Sequence, residues 1–197
     1  MKKLSFVLIS LFFLYSSANA YDTNPEIFVK ELVDDALNKL ADKNFDEKQK
    51  ADFIEEIALE NVDISALSLY TLGELRKSTS KENLVKYQNT FQKYFLKTLT
   101  SRLTDYSSNN FEVTSSDKKS SNYTIVNSRI PEKENKPEII IDWRVYTKNP
   151  EKPLIRDLIV EGLSLARTQK EEFSSILNSN NNDISILIIK LEEFVKN

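Results

Sequence analysis

The side chains in this sequence with the most chemical potential are acids and arginines on alternating positions of two extended segments. Asp142 and Arg144 share one side of the first, Asp157 and Glu161 share one side of the second, and Arg156 adjoins them. Such groups can pair across neighbouring strands or stay solvated, and a carboxyl whose pKa is raised by burial can act as a general acid or base. What is missing narrows this menu. The sequence holds no histidine and no cysteine, which removes the commonest base near neutral pH, the commonest transition-metal ligand and the thiol nucleophile. Its two glycines, Gly73 and Gly162, cannot build a glycine-rich phosphate cradle or a dinucleotide fingerprint. Pairing between strands or solvation is therefore the expectation for these polar residues, with no catalytic residue, no metal ligand and no cofactor assigned.

The compartment is read from the start of the chain. Lys2 and Lys3 give a positive beginning, Leu4 to Tyr15 an apolar run, and Ala18-Asn19-Ala20 a small-residue cleavage site, so residues 1–20 are expected to be a cleaved signal peptide. That run is shorter than the roughly 20 residues of a membrane-spanning helix, and no second one follows. Residues 21–197 are expected to form one soluble domain with a core of its own. Without cysteine, neither a disulfide nor a lipid-modified thiol can staple or anchor it. The sequence carries 27 basic and 30 acidic side chains, a net charge of −3, and loss of Lys2 and Lys3 makes the remainder more acidic still. Nucleic acid is disfavoured as a partner, as is long-range attraction to an anionic membrane, which points to delivery through partner proteins.

The elements that must position the polar residues follow from periodicity. Asn24-Pro25 opens a helix that places Phe28, Val29, Leu32, Val33, Ala36, Leu37 and Leu40 on one face. Further helices are predicted over 46–59 and 64–76, the latter containing Gly73. A fourth has a capping box at Thr79 and Glu82 and an aromatic face of Tyr87, Phe91, Tyr94, Phe95 and Tyr106. The period then changes to two, predicting strands over 111–114, 123–130, 138–146 and 154–162. Ile139, Ile141, Trp143 and Val145 make one side of the third strand apolar, so helices must cover that side. Helical segments over 168–177 and 183–194 close the chain. This order predicts an α+β fold: N-terminal helices, a curved antiparallel sheet of about four strands, then C-terminal helices.

Several of these segments carry a resemblance. Val62-Asp63 precedes a helix bearing Leu72-Gly73; Thr79 to Glu82 leads into the aromatic helix; Ile141-Asp142-Trp143-Arg144-Val145 lies on a strand. The most specific segment is Asp157-Leu158-Ile159-Val160-Glu161-Gly162-Leu163-Ser164-Leu165, followed by Glu172-Phe173. Over 61–106 and 139–191 the chain resembles the MlaC family, also called the toluene-tolerance family, of periplasmic phospholipid-binding proteins. The resemblance implies a monomeric soluble carrier with a cystatin-like or NTF2-like sheet and helices enclosing an apolar pocket for acyl chains. It also implies exchange with an outer-membrane lipoprotein complex and an inner-membrane ABC transporter, an action that maintains outer-membrane lipid asymmetry. The phospholipid is then cargo, and its headgroup is left largely exposed, in keeping with the absence of a fixed basic cluster in the sequence.

Physical chemistry sets what such a carrier needs. Two acyl chains hold roughly 30 methylenes, and at about 0.8 kcal/mol each their exposure costs on the order of 24 kcal/mol. The chains must lie in a dry, nonspecific apolar pocket. The expected walls are Ile64, Leu67 and Leu72 on the third helix, Tyr87, Phe91 and Phe95 on the fourth, and Val126, Ile139, Ile141, Leu158 and Val160 on the sheet. Periodicity alone allows the same residues to be an ordinary filled core. Two other readings suit the same fold: a small-molecule enzyme using a buried carboxylate and a tyrosine, and a periplasmic adaptor or chaperone with an open apolar patch.

Overall fold

The computed structural model describes residues 21–103, 110–133 and 137–197; the proposed leader and Tyr106 lie outside them. Helix α1 (Pro25–Ala41) starts where Asn24 accepts hydrogen bonds from the Glu26 and Ile27 amides, with Pro25 in the first turn. Helix α2 (Glu47–Asn61) begins with a reciprocal capping box between Asp46 and Gln49. Helix α3 (Ile64–Leu72) is capped by Asp63 and passes into a 3-10 turn over Gly73–Lys77. Helix α4 (Lys81–Leu103) begins one residue later than the proposed box, because Ser80 Oγ accepts from the Asn83 amide at 3.3 Å while the Thr79 hydroxyl donates backward to the Leu75 carbonyl.

Strands β1 (Glu112–Lys118), β2 (Tyr123–Ile130), β3 (Ile139–Tyr146), β4 (Leu154–Val160) and β5 (Leu163–Ser164) form one antiparallel sheet in sequence order. The proposed fourth strand over 154–162 ends at Val160, and a short fifth strand beyond the proposed range follows it. Val160 pairs with Leu163 across Glu161-Gly162, whose φ angles of 50° and 78° make the two-residue loop a tight left-handed turn suited to glycine. Glu161 is exposed, as expected on balance, and also accepts the Ile140 amide at 2.6 Å, tying the turn to β3. Helices α5 (Leu165–Asn178) and α6 (Ile184–Lys196), the latter capped by Asp183, complete the chain.

Two packed cores result. On the more apolar face of the sheet, Val126, Val145 and Ile155 are buried against Phe28, Val29 and Leu32 of α1, with Trp143 and Leu158 at the margin. Each fully buried side chain of this size contributes about 1.5–3 kcal/mol. Helices α3, α4, α5 and α6 form the second core around Tyr87, Phe91, Phe173, Leu187 and Ile188. Inside it the Tyr87 and Thr71 hydroxyls pair at 2.8 Å, and burial pushes the Tyr87 phenol pKa well above its ordinary value. The molecule is therefore layered as α1, sheet and helical bundle.

Gly73 does not sit inside a helix as the periodicity suggested. It ends α3 at φ 62° and ψ −140°, a conformation essentially closed to other residues. Gly73→Ala is expected to lower stability by about 1–3 kcal/mol, read from urea unfolding midpoints. A glycine within a helix would instead yield a gain of about 1 kcal/mol.

Candidate functional site

The site begins with α3, whose segment Ile64-Ser65-Ala66-Leu67-Ser68-Leu69-Tyr70-Thr71-Leu72 is apolar around most of its circumference. A helix of this kind must be packed on more than one side. One side enters the helical core through Ile64, Leu67 and Leu72. The other faces the sheet, and its distance from the sheet is set at its first turn. There Asp63 accepts the Ala66 amide at 3.0 Å and donates its own amide to the Ile155 carbonyl at 2.9 Å. Its second carboxylate oxygen takes Arg156 Nη2 at 2.6 Å and Nε at 2.8 Å.

Arg156 is aimed at α3 by a bulge in β4: Arg144 pairs with Asp157 but Val145 pairs with Ile155, leaving Arg156 as the extra residue. Its guanidinium lies 3.4 Å from the centre of the Tyr146 ring and donates to the Tyr123 hydroxyl at 2.9 Å. Burial works against its charge, but the hydrogen bonds to Tyr123 and Asp63, with the attraction of Asp63, outweigh it and raise its pKa. Asp157 does the corresponding work for α5. It is buried, not solvated as its position suggested, accepting Ser164 Oγ at 2.6 Å and the Ala166 amide at 3.0 Å beside the positive end of the helix. Arg144 stands 3.4 Å from the same carboxylate, the cross-strand pairing expected from alternation.

Between α3, α5 and the sheet these ties leave a cleft of about 940 Å3. Its floor is two adjacent cross-strand rows: Ile125 beside Arg144, and Asn127 beside Asp142 and Ile159. Its roof is Ala66, Leu67, Leu69 and Tyr70 of α3 and Ala166 of α5, while Arg76, Lys119, Ser120, Tyr123 and Arg156 close its ends. Asp142 is the one acid on this wall among the described residues, and its carboxylate accepts Asn127 Nδ2 at 2.8 Å. No group of three or more acidic, histidine or cysteine side chains able to hold a metal occurs among the described residues. The lining is mixed, with Ile125 and Ile159 standing among Asn127, Asp142 and Arg144 on the floor and mostly apolar side chains on the roof.

The eleven proposed wall residues are distributed over three places. Ile64, Leu67, Leu72, Tyr87 and Phe91 are buried in the helical core, with Phe95 at its edge. Val126 is fully buried under α1, with Leu158 packed beside it. Ile139, Ile141 and Val160 are half-buried on that same side of the sheet. Only Leu67 of the set borders the cleft, which opens on the opposite, more polar face. Ile125, Ile159 and Leu69 were not singled out. The available signal was an isoleucine on an otherwise polar strand face opposite a helix apolar on all sides.

The Asp63 contact has a measurable weight. With side chains only 16 % and 25 % exposed for Asp63 and Arg156, Asp63→Ala is expected to cost about 2–4 kcal/mol through the lost cap and the stranded guanidinium. A double-mutant cycle with Arg156→Ala should give a coupling of about 1–2 kcal/mol; additive effects would show that the pair does not hold α3.

The geometry can be set beside known proteins. A solved structure of a phospholipid-binding protein from Ralstonia solanacearum, in complex with a phospholipid, superposes with a TM-score of 0.66 at 20 % sequence identity. The match covers 85 % of this chain and 94 % of that one, so the fold is shared. No curated protein matches the chain. The sequence model of the family described as MlaC protein matches residues 30–193, and this protein therefore belongs to the MlaC family.

Proposed function

We propose that this chain is a phospholipid carrier that works in the periplasm, with acyl chains held in the cleft between the sheet and α3. The observation that carries the reading is an open cleft whose lining is more apolar than polar, lying between two packed cores. A long apolar ligand can enter and leave such a space without unfolding either core. Membership of the MlaC family supports this cargo class, and so does the phospholipid found with the Ralstonia protein.

In this reading residues 1–20 direct export and are removed, and residues 21–197 act as one domain. The loaded domain exchanges lipid with an outer-membrane lipoprotein complex and an inner-membrane ABC transporter, which preserves outer-membrane lipid asymmetry. No helix among the described residues is long and apolar enough to cross a membrane. The phospholipid is cargo, with no cofactor and no turnover. Asp142 on the cleft wall favours a second reading, a small-molecule enzyme using that carboxylate.

The mature chain, purified without detergent, should show in native mass spectrometry a bound mass equal to one phospholipid, identified again in an organic extract. A mass of the bare chain, persisting after incubation with phospholipid vesicles, would overturn the carrier reading and favour the enzyme.

A further inference from the structure

The cleft has a neighbour. Tyr70 is a wall both of the cleft and of a second groove of about 530 Å3, lined from α5 by Arg167, Lys170, Glu171, Ser174, Ser175 and Asn178, with Ser179 at its end. Tyr70 is the residue the two linings share. The first has more apolar than polar lining, whereas hydroxyls, an amide, two cations and the Glu171 carboxylate line the second. The Lys170 ammonium stands over the Tyr70 ring at 5.2 Å. Among the described residues neither Arg167 nor Lys170 makes an ion pair. The nearby acid Glu74 is held by Lys77 at 2.6 Å, lies 3.9 Å from Arg76 Nη2 and is also attracted by Lys170. Arg76, which is paired with Glu74 and donates to the Gly73 carbonyl, borders the cleft on the other side of Tyr70.

Lys170 packs against the end of α3. A Cβ on Gly73 would lie 3.4 Å from Lys170 Cε, so the lysine stem runs over the end of α3 on its way to the groove. The cations come from the 3-10 turn and from α5, segments far apart in sequence, and so no basic cluster is visible along the chain.

We propose that the α5 groove seats the phosphate of a phospholipid whose acyl chains occupy the cleft, with Lys170 and Arg167 as the phosphate contacts and Tyr70 marking the passage between chains and headgroup. This rests on the carrier reading of the cleft. The shared chemistry is a phosphate anion met by paired cations and hydroxyl donors, and a free phosphate ion is its other possible source.

The test offers the mature chain, stripped of lipid, an equimolar dispersion of dioleoylphosphatidylglycerol and dioleoylglycerol, which share chains and differ in the phosphate. Bound lipid is then counted by mass spectrometry. The wild-type protein is expected to favour the phospholipid by about tenfold, and R167Q/K170Q to bring that preference within about twofold while diacylglycerol loading is unchanged. A double variant that keeps the wild-type preference would overturn the seat and leave the carrier reading intact. A wild-type protein that takes up neither lipid would overturn both. Inorganic phosphate titrated into the stripped wild-type protein should release no heat; phosphate binding that R167Q/K170Q abolishes would assign the groove to a free anion and overturn the headgroup reading.

Discussion

The ion pair between Asp63 and Arg156 determines where α3 stands relative to the sheet, and the cleft is the space left by that placement. Asp63 caps the helix, bonds the β4 backbone and holds the guanidinium, so one residue fixes the helix start, its height and its side of the sheet. Asp157 repeats the arrangement for α5 through Ser164 and the Ala166 amide. Both acids are satisfied by donors at helix starts, where the helix dipole favours negative charge. Polar ties at the ends of the helices, with apolar side chains between them, hold the roof of the cleft away from its floor without filling the gap.

This arrangement separates stability from occupancy. The core under α1 and the core among α3, α4, α5 and α6 are each closed by their own residues. In the proposed carrier the cleft would therefore fill and empty while both stay intact. An interior at organic-crystal density would resist such exchange. In the proposed carrier, a mixed, partly polar lining would also limit how much better the cleft is for an acyl chain than a bilayer is, as release of cargo requires.

Much of this was legible in the sequence where the signal is local and repeated. Asn24-Pro25 and Asp183 marked helix starts, the alternation from Ile139 to Tyr146 marked the strand and its apolar face, and the segment Asp157 to Leu165 carried the family resemblance. What escaped were single-residue events. A bulge at Arg156 places it on the same side as Asp157, which strict alternation forbids. The cap of α4 falls on Ser80, not Thr79, because either hydroxyl suits and the Leu75 carbonyl captured the threonine. Gly73 reads as helical until its φ of 62° shows that it ends the helix. The position of the cleft escaped for a different reason: counting apolar residues finds the strand face that packs most tightly, whereas the open space lies on the face where Ile125 and Ile159 stand among Asn127, Asp142 and Arg144.

The central claim is that the cargo lies between α3 and the more polar face of the sheet. A phospholipid with a diazirine midway along one acyl chain, loaded into the mature chain and photolysed, maps its own contacts when the cross-linked peptides are sequenced. The account predicts adducts on Leu67 or Leu69 and at Ile125 or Ile159. Adducts concentrated on Phe28, Val29 and Leu32 of α1 and on Val126 and Val145 beneath it would place the chains in the opposite layer and contradict the account.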